Sequence, residues 1–134
     1  MVAHSKNHLW LQQVQEPALE PDLPICDPHH HLWDGVTARV QPRYLMDEIS
    51  DDVYGGHNIV ATVFIECGAM FRQHGPVAFR PVGETEFVNG IAAMSASGNY
   101  GKTKIAAGIV GTVDLKLGDI SGAVLDAHIA AGGG

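Results

Sequence analysis

The feature that most constrains the fold is a regular alternation of strand-like and helix-like segments along the 134-residue chain. The run at 59–65 is apolar at nearly every position and rich in β-branched residues, which is typical of a strand covered on both faces in a parallel sheet. A shorter strand is predicted from Pro24 into a histidine cluster, and a third over 104–113. Strands separated by helices indicate βαβ units, whose crossovers are right-handed. The predicted fold class is therefore α/β, with three parallel strands.

Three helix-like segments follow the strands, at 44–52, 84–97 and 119–131. Their inward-facing apolar residues are predicted, in chain order, to be Leu45, Ile49 and Val53; Phe87, Val88, Ile91 and Met94; and Ile120, Val124 and Leu125. Glu84 and Glu86 favour the N-terminal end of the second helix because they complement its dipole. Gly98 is predicted to end that helix in a left-handed conformation.

Composition and charge limit the kinds of partner. The chain has 15 acidic and 8 basic residues and a formal net charge of −7, which argues against the basic patches that nucleic acids and anionic membranes require. We therefore predict no nucleic-acid partner and no membrane partner. The sequence shows no secretory signal and no apolar run of about 18 residues, which predicts a cytoplasmic protein.

A single folded domain is predicted at 25–134, preceded by an irregular N-terminal arm at 1–24. The two cysteines, Cys26 and Cys67, lie in apolar, strand-like runs. We predict that both are reduced residues of the core, as in cytosolic proteins, and a disulfide between them is the alternative.

The most chemically informative stretch is the histidine cluster at the end of the first predicted strand. Side chains alternate between the two faces of a strand, so His29 and His31 should project to one side and His30 to the other. Two imidazoles on one face can bind a single ion such as Zn²⁺. A packed or solvated histidine is the alternative for each, and we expect it for His30. Asp27 could orient an imidazole from outside the first coordination shell or act as a structural hydrogen-bond acceptor.

Four other residues are candidates for a functional role. Glu66 follows the second predicted strand, at the edge of the sheet where loops gather. Trp33 could line a pocket or pack in the core. Arg72 and Arg80 lie in a long predicted loop at 69–83, and loops of that length are often functional. Their guanidinium groups could bind a substrate carboxylate in a bidentate manner, with a simple surface position as the alternative.

Four blocks in this order resemble one protein family. They are Cys-Asp-Pro-His-His-His-Leu-Trp-Asp at 26–34, Phe-Ile-Glu-Cys-Gly-Ala-Met at 64–70, Arg-Pro-Val-Gly-Glu-Thr-Glu-Phe-Val-Asn-Gly at 80–90 and Ala-Ala-Met-Ser-Ala-Ser-Gly at 92–98. Together they are similar to the amidohydrolase-related family, TIM-barrel proteins usually called predicted metal-dependent hydrolases. That family includes sugar-lactone and pyrone-dicarboxylate lactonases, and the resemblance extends from about residue 16 to the end.

The resemblance implies a specific architecture and site. The chain would form the first three strands of an incomplete TIM (β/α)8 barrel, which needs eight strands and about 250 residues. By the same resemblance, His29 and His31 would bind a divalent metal, Zn²⁺ or Mn²⁺, and Glu66 would face the active-site mouth as a catalytic candidate. Some relatives work without metal. The family's remaining ligands have no counterpart here, so we expect these residues to be the first part of a longer protein.

The resemblance also implies a reaction, the metal-assisted hydrolysis of a lactone or similar cyclic ester. A metal-dependent decarboxylase of the same superfamily is the alternative enzyme. Three strands cannot close a barrel, so the chain alone is expected to be inactive, and a non-catalytic metal-binding or self-associating role is the third interpretation. The unpaired edges of an open sheet favour association into a homo-oligomer.

Overall fold

The computed structural model describes residues 10, 13–14, 16–35 and 42–133. Its strands are β1 (Pro24–His30), β2 (Asn58–Ile65) and β3 (Lys104–Val110). Its helices are α1 (Met46–Val53), α2 (Val82–Ala96) and α3 (Ile120–Ala131), with short 3-10 turns at Val77–Phe79 and Leu115–Leu117. The predicted alternation of strands and helices is confirmed, whereas half of the predicted arm at 1–24 lies outside the described residues. Within the described ranges, no helix is long and apolar enough to cross a membrane.

The strands form one sheet in the order β1-β2-β3, and both neighbouring pairs are parallel. This arrangement confirms the α/β class. Because parallel strands run in the same direction, the carboxyl ends of all three meet at one edge of the sheet. We call this edge the carboxyl edge; the residues that follow it are His31 after β1, Glu66 after β2 and Gly111 after β3.

The pairing of β2 with β3 contains a bulge that the sequence does not reveal. Ala61 pairs with Lys104 but Val63 pairs with Gly108, so β3 contributes two extra residues between these pairs. Within the bulge Ala106 has φ 53°, an uncommon value for a residue with a side chain. Its N–H donates to the Thr62 hydroxyl at 2.9 Å. A side-chain hydrogen bond therefore replaces the backbone pairing that the bulge removes.

The core lies between one face of the sheet and helices α1 and α2. Its buried members are Leu32, Met46, Ile49, Val53, Phe64, Val88, Ile91, Ile105 and Ala106. Leu32, Phe64 and Val88 are fully inaccessible to solvent. Full burial of such side chains is worth about 1.5–3 kcal/mol each. The carboxyl ends of β1 and β2 are therefore held by the best-packed part of the domain.

The opposite face of the sheet corrects two predictions. Among the described residues this face is not fully covered, since Val63 and Ile65 of β2 are half-buried and Val110 of β3 is 47% exposed. Cys26 is exposed and Cys67 is half-buried, so the prediction that Cys26 belongs to the core is wrong. Cys26 pairs with Ala61 in a sheet whose helices pack on the other face. Neither thiol takes part in a disulfide in the described part of the chain, as predicted.

Helix α2 differs modestly from its prediction. It begins at Val82, two residues early, because Pro81 has the φ of −60° that suits a helix start. Val88 and Ile91 are buried as predicted, but Met94 is 37% exposed. Gly98 has φ 78°, which confirms the left-handed end.

Helix α3 differs more in the face that it buries. Of its three predicted inward residues, Val124 is buried, while Ile120 and Leu125 are 53% and 46% exposed. The helix is apolar around most of its circumference, so the spacing of its apolar residues could not identify the buried face.

Candidate metal centre

His29 and His31 converge at the carboxyl edge, as their spacing predicted. His29 lies near the end of β1 and is exposed, and His31 follows the strand and is half-buried. The two rings are perpendicular, with centroids 4.9 Å apart. Their Nε2 atoms lie 3.2 Å from each other. Two ring nitrogens therefore point at the same small volume.

The separation of these nitrogens fits a shared ion. Zn²⁺ binds imidazole nitrogen at about 2.0–2.1 Å in tetrahedral geometry, which places two such nitrogens about 3.4 Å apart. The observed 3.2 Å between Nε2 of His29 and Nε2 of His31 is close to this value. The spacing of the two nitrogens is therefore compatible with a shared divalent cation.

The tautomer of His31 also suits a metal ligand. Its Nδ1 lies 2.8 Å from the carbonyl oxygen of Ile65, the last residue of β2. A carbonyl only accepts hydrogen bonds, so Nδ1 carries the proton and Nε2 presents its lone pair toward His29. Within the pair, Nε2–H of His29 therefore donates to Nε2 of His31. A backbone carbonyl that fixes the tautomer is a common partner of metal-binding histidines.

His30 points into the core on the opposite side. It is 8% exposed, and its ring meets the ring of Phe64 edge-on at 5.9 Å. Its Nε2 lies 2.9 Å from the Thr62 hydroxyl, the group that accepts the Ala106 N–H. Burial lowers the pKa of His30, which favours its neutral form. The expected packed role of His30 is confirmed, and it anchors β1 to β2 beside the pair formed by His29 and His31.

Asp27 acts on the backbone of the motif. One of its carboxylate oxygens accepts the N–H of His29 at 3.1 Å. Of the two roles considered for Asp27, the structural acceptor is therefore the one observed. This contact restrains the backbone of His29. The ring of His31 is oriented instead by its hydrogen bond to the carbonyl oxygen of Ile65.

Two further predicted residues lie after β1 and β2. Glu66 is half-buried at the carboxyl edge, and its N–H donates to the carbonyl oxygen of Val110 at 2.9 Å. Trp33 is half-buried and stacks on Tyr44, with centroids 5.4 Å apart and planes inclined by 26°. The catalytic role of Glu66 and the substrate-binding role of Trp33 stay predictions.

The two arginines differ in their environments. The guanidinium of Arg72 forms a two-pronged ion pair with Glu86, including one bond of 3.0 Å from Nε. This pairing raises the pKa of Arg72 and lowers the pKa of Glu86. Arg80 is half-buried, and its Nε is buried with no hydrogen-bond partner among the described residues. A substrate-binding role stays a prediction for both, and in Arg72 it would compete with Glu86.

Sequence reasoning missed the environment of Glu84. It was expected only to complement the helix dipole, yet it is 2% exposed and its Oε1 accepts the N–H groups of Cys67 and Ala69 at 3.1 and 2.7 Å. Its other carboxyl oxygen is buried with no partner among the described residues. The local sequence indicates only that Glu84 lies in the first turn of a helix, directly after Gly83.

His128 also has a role that its sequence context did not show. Its Nδ1 lies 2.7 Å from the Thr85 hydroxyl and its Nε2 lies 3.0 Å from the carbonyl oxygen of Thr112. These contacts join α3 to α2 and to the segment after β3. A groove of about 1000 Å³ lies beside β3, between α2 and α3. None of the predicted site residues lines this groove.

The described residues thus bring two imidazole groups together at the carboxyl edge. Within them, no group of three or more histidine, cysteine, aspartate or glutamate side chains is placed to bind one ion. Comparison of the chain with protein-family models, with curated proteins and with solved structures gave no match.

A half-buried tyrosine near the motif, Tyr44, gives a prediction for alkaline pH. Tyr44 donates a hydrogen bond to the Asp52 carboxylate, and burial together with this bond holds the pKa of Tyr44 well above its ordinary value. Because the folded-state pKa is raised, this stability is fully present below the unfolded-state pKa of about 10 and is lost as pH rises above it. We expect Tyr44→Phe to reduce the loss of stability above that pH.

The measurement for Tyr44→Phe is the free energy of unfolding in urea at pH 8 and at pH 11. The matched control is Tyr54→Phe, since Tyr54 is 45% exposed. It should retain the alkaline loss of the unmodified protein. An equally steep loss in Tyr44→Phe would contradict the prediction.

Proposed function

We propose that this chain supplies the first ligand pair of a metal-assisted hydrolase of the amidohydrolase-related type. The substrate class is a lactone or similar cyclic ester. The observation that supports the proposal is the 3.2 Å approach of the Nε2 atoms of His29 and His31, with the tautomer of His31 fixed by the carbonyl of Ile65. The four-block resemblance names the reaction, and the geometry of the pair supplies its physical basis.

The location of the pair agrees with this proposal. In α/β proteins with parallel strands, ligands bind at the carboxyl ends of the strands, and TIM-barrel active sites are built there from several loops. His29 lies near the end of β1, His31 directly follows β1, and Glu66 follows β2 at the same edge. In the proposed architecture, β1, β2 and β3 correspond to the first three strands of such a barrel, in that order.

Each residue of the proposed site has a distinct task. His29 and His31 would hold a divalent cation, Zn²⁺ or Mn²⁺. When bound, that cation supplies Lewis acidity to a carbonyl group and lowers the pKa of a coordinated water molecule toward about 7. Glu66 is the proposed acceptor of a proton at the carboxyl edge. Trp33 and the loop arginines are proposed to contact the substrate.

The number of ligands favours a second candidate, metal binding without turnover. Catalytic zinc sites commonly have three protein ligands and a water molecule. The described residues bring together two ligands, His29 and His31, which is enough to bind a cation but fewer than such sites use. One experiment separates the two candidates.

The test combines metal binding with turnover. The chain is titrated with Zn²⁺ and with Mn²⁺, and a longer protein that carries this chain together with the remaining strands of a barrel is assayed with each ion on a panel of sugar lactones and pyrone lactones. We expect one ion per chain and, in the longer protein, metal-dependent ring opening, with both lost in His29→Ala. Binding without turnover would favour the non-catalytic candidate. Absence of both would contradict the metal centre itself.

A further inference from the structure

The segment that follows β2 is fastened by a buried carboxyl group from α2. Oε1 of Glu84 accepts N–H groups from Cys67 and Ala69, at 3.1 and 2.7 Å. The side chain is 2% exposed, so water competes little for these bonds. The backbone at 67–69 is thus tied to the first turn of the helix.

Tight packing reinforces this attachment. A Cβ atom added at Gly83 would lie 2.6 Å from the carbonyl oxygen of Met70 and 2.8 Å from the backbone nitrogen of Arg72. That nitrogen also donates to the carbonyl oxygen of Arg80 at 2.9 Å. The loop therefore lies directly against the start of α2, in the space that a side chain at Gly83 would need.

The end of β2 and the residues that follow it also contact His31 and its neighbour Leu32. Ile65, two residues before Cys67, accepts the Nδ1–H of His31 at 2.8 Å. The thiol of Cys67 lies 3.5 Å from the carbonyl oxygen of Leu32, the residue after His31. The segment 65–67 thus contacts both the ring of His31 and the backbone beside it.

We propose that Glu84 is a positioning residue for the metal-binding pair. By holding the N–H groups of Cys67 and Ala69, it fixes the carbonyl of Ile65, which in turn fixes the tautomer and orientation of His31. The expected effect of Glu84 on metal affinity rests on the proposed metal centre. Its first step, the orientation of the His31 ring, can be measured without metal.

Three substitutions separate the reach of the side chain from its charge. Glu84→Gln keeps the length and an oxygen that accepts both N–H groups. Glu84→Asp keeps the carboxyl group but shortens the side chain by one carbon, about 1.5 Å. Glu84→Ala removes both features. If the position of the accepting oxygen is what orients His31, Glu84→Gln should preserve the His31 tautomer and Glu84→Asp should not.

The readouts are the His31 tautomer, from ¹⁵N NMR of the imidazole ring, and the Kd for Zn²⁺ and for Co²⁺. In Glu84→Asp and Glu84→Ala we expect loss of the pure Nδ1–H form of His31 and Kd values raised about 10-fold or more, as for other outer partners of metal ligands. Glu84→Gln should retain the tautomer and stay within about threefold in Kd. If Glu84→Ala does not fold, the contrast between Gln and Asp decides the question.

Ser95→Ala is the control for general destabilisation. Ser95 is buried near the carboxyl end of α2, and its hydroxyl donates to the carbonyl oxygen of Thr103 and accepts the N–H of Ile105 at the amino end of β3. It should lower stability and leave the His31 tautomer unchanged. Three results would overturn the inference: an unaltered tautomer in Glu84→Asp, a Gln variant as impaired as Asp, or the same change in Ser95→Ala. If the His31 tautomer changes with the Glu84 substitutions as expected while the chain binds neither Zn²⁺ nor Co²⁺, that result would support the inference and contradict the proposed function alone.

Discussion

Replacing His31 by alanine is expected to weaken Zn²⁺ binding by on the order of 100-fold or more, since even outer partners of metal ligands contribute 10–100-fold. The substitution removes one of two convergent nitrogens. It leaves His29 alone at the carboxyl edge, and a single imidazole has no second donor at the 3.2 Å spacing seen in the pair. His29→Ala should cause a loss of the same order.

The measurement is competition for Zn²⁺ against a chromophoric chelator at constant pH. His57→Ala is the matched control, because His57 is an exposed histidine that directly precedes β2, at the opposite edge of the sheet. It should leave the Kd unchanged. Tight binding that survives in His31→Ala, or that is lost in His57→Ala, would show that zinc binds elsewhere.

The convergence of this pair could be predicted from the sequence, but its geometry could not. Strand alternation is a local property, so His29 and His31 were correctly expected to share a face. The partner that fixes His31 is Ile65, 34 positions away in the chain. Such a contact depends on the parallel register of β1 and β2, which no local pattern contains.

The fold was predictable where one signal dominated. The β-branched run of β2 and the glycines at its flanks gave the strand without ambiguity. In α3 the signal failed, because a helix that is apolar on most sides does not show which side is buried. The bulge at Ala106 was equally invisible, since it depends on the Thr62 hydroxyl of a neighbouring strand.

Glu84 illustrates a third reason for a missed assignment. An acidic residue in the first turn of a helix has an adequate local explanation in the helix dipole. Nothing in the sequence distinguishes it from Glu86, which is exposed and pairs with Arg72. Burial separates the two, and burial is decided by how the loop after β2 packs on α2.

Phe64→Ala is expected to lower the free energy of unfolding by about 3–5 kcal/mol, the usual cost of removing a buried aromatic ring. Phe64 is fully inaccessible and belongs to the core beneath the carboxyl edge. Domains of ordinary stability have about 5–15 kcal/mol in total, so the loss takes a large share of it. Phe64→Leu refills part of the space and should cost less, roughly 0.5–3 kcal/mol.

The measurement is equilibrium unfolding in urea, with Phe71→Ala as the matched control, because Phe71 is 41% exposed and should cost below about 1 kcal/mol. The ring of Phe64 also supports the ring of His30, which anchors β1 to Thr62. Phe64→Ala should therefore loosen the strand that presents His29 and His31 as well as the core. A variant with the stability of Phe71→Ala would mean that the core does not support this edge of the sheet, and that the histidines are held by their hydrogen bonds alone.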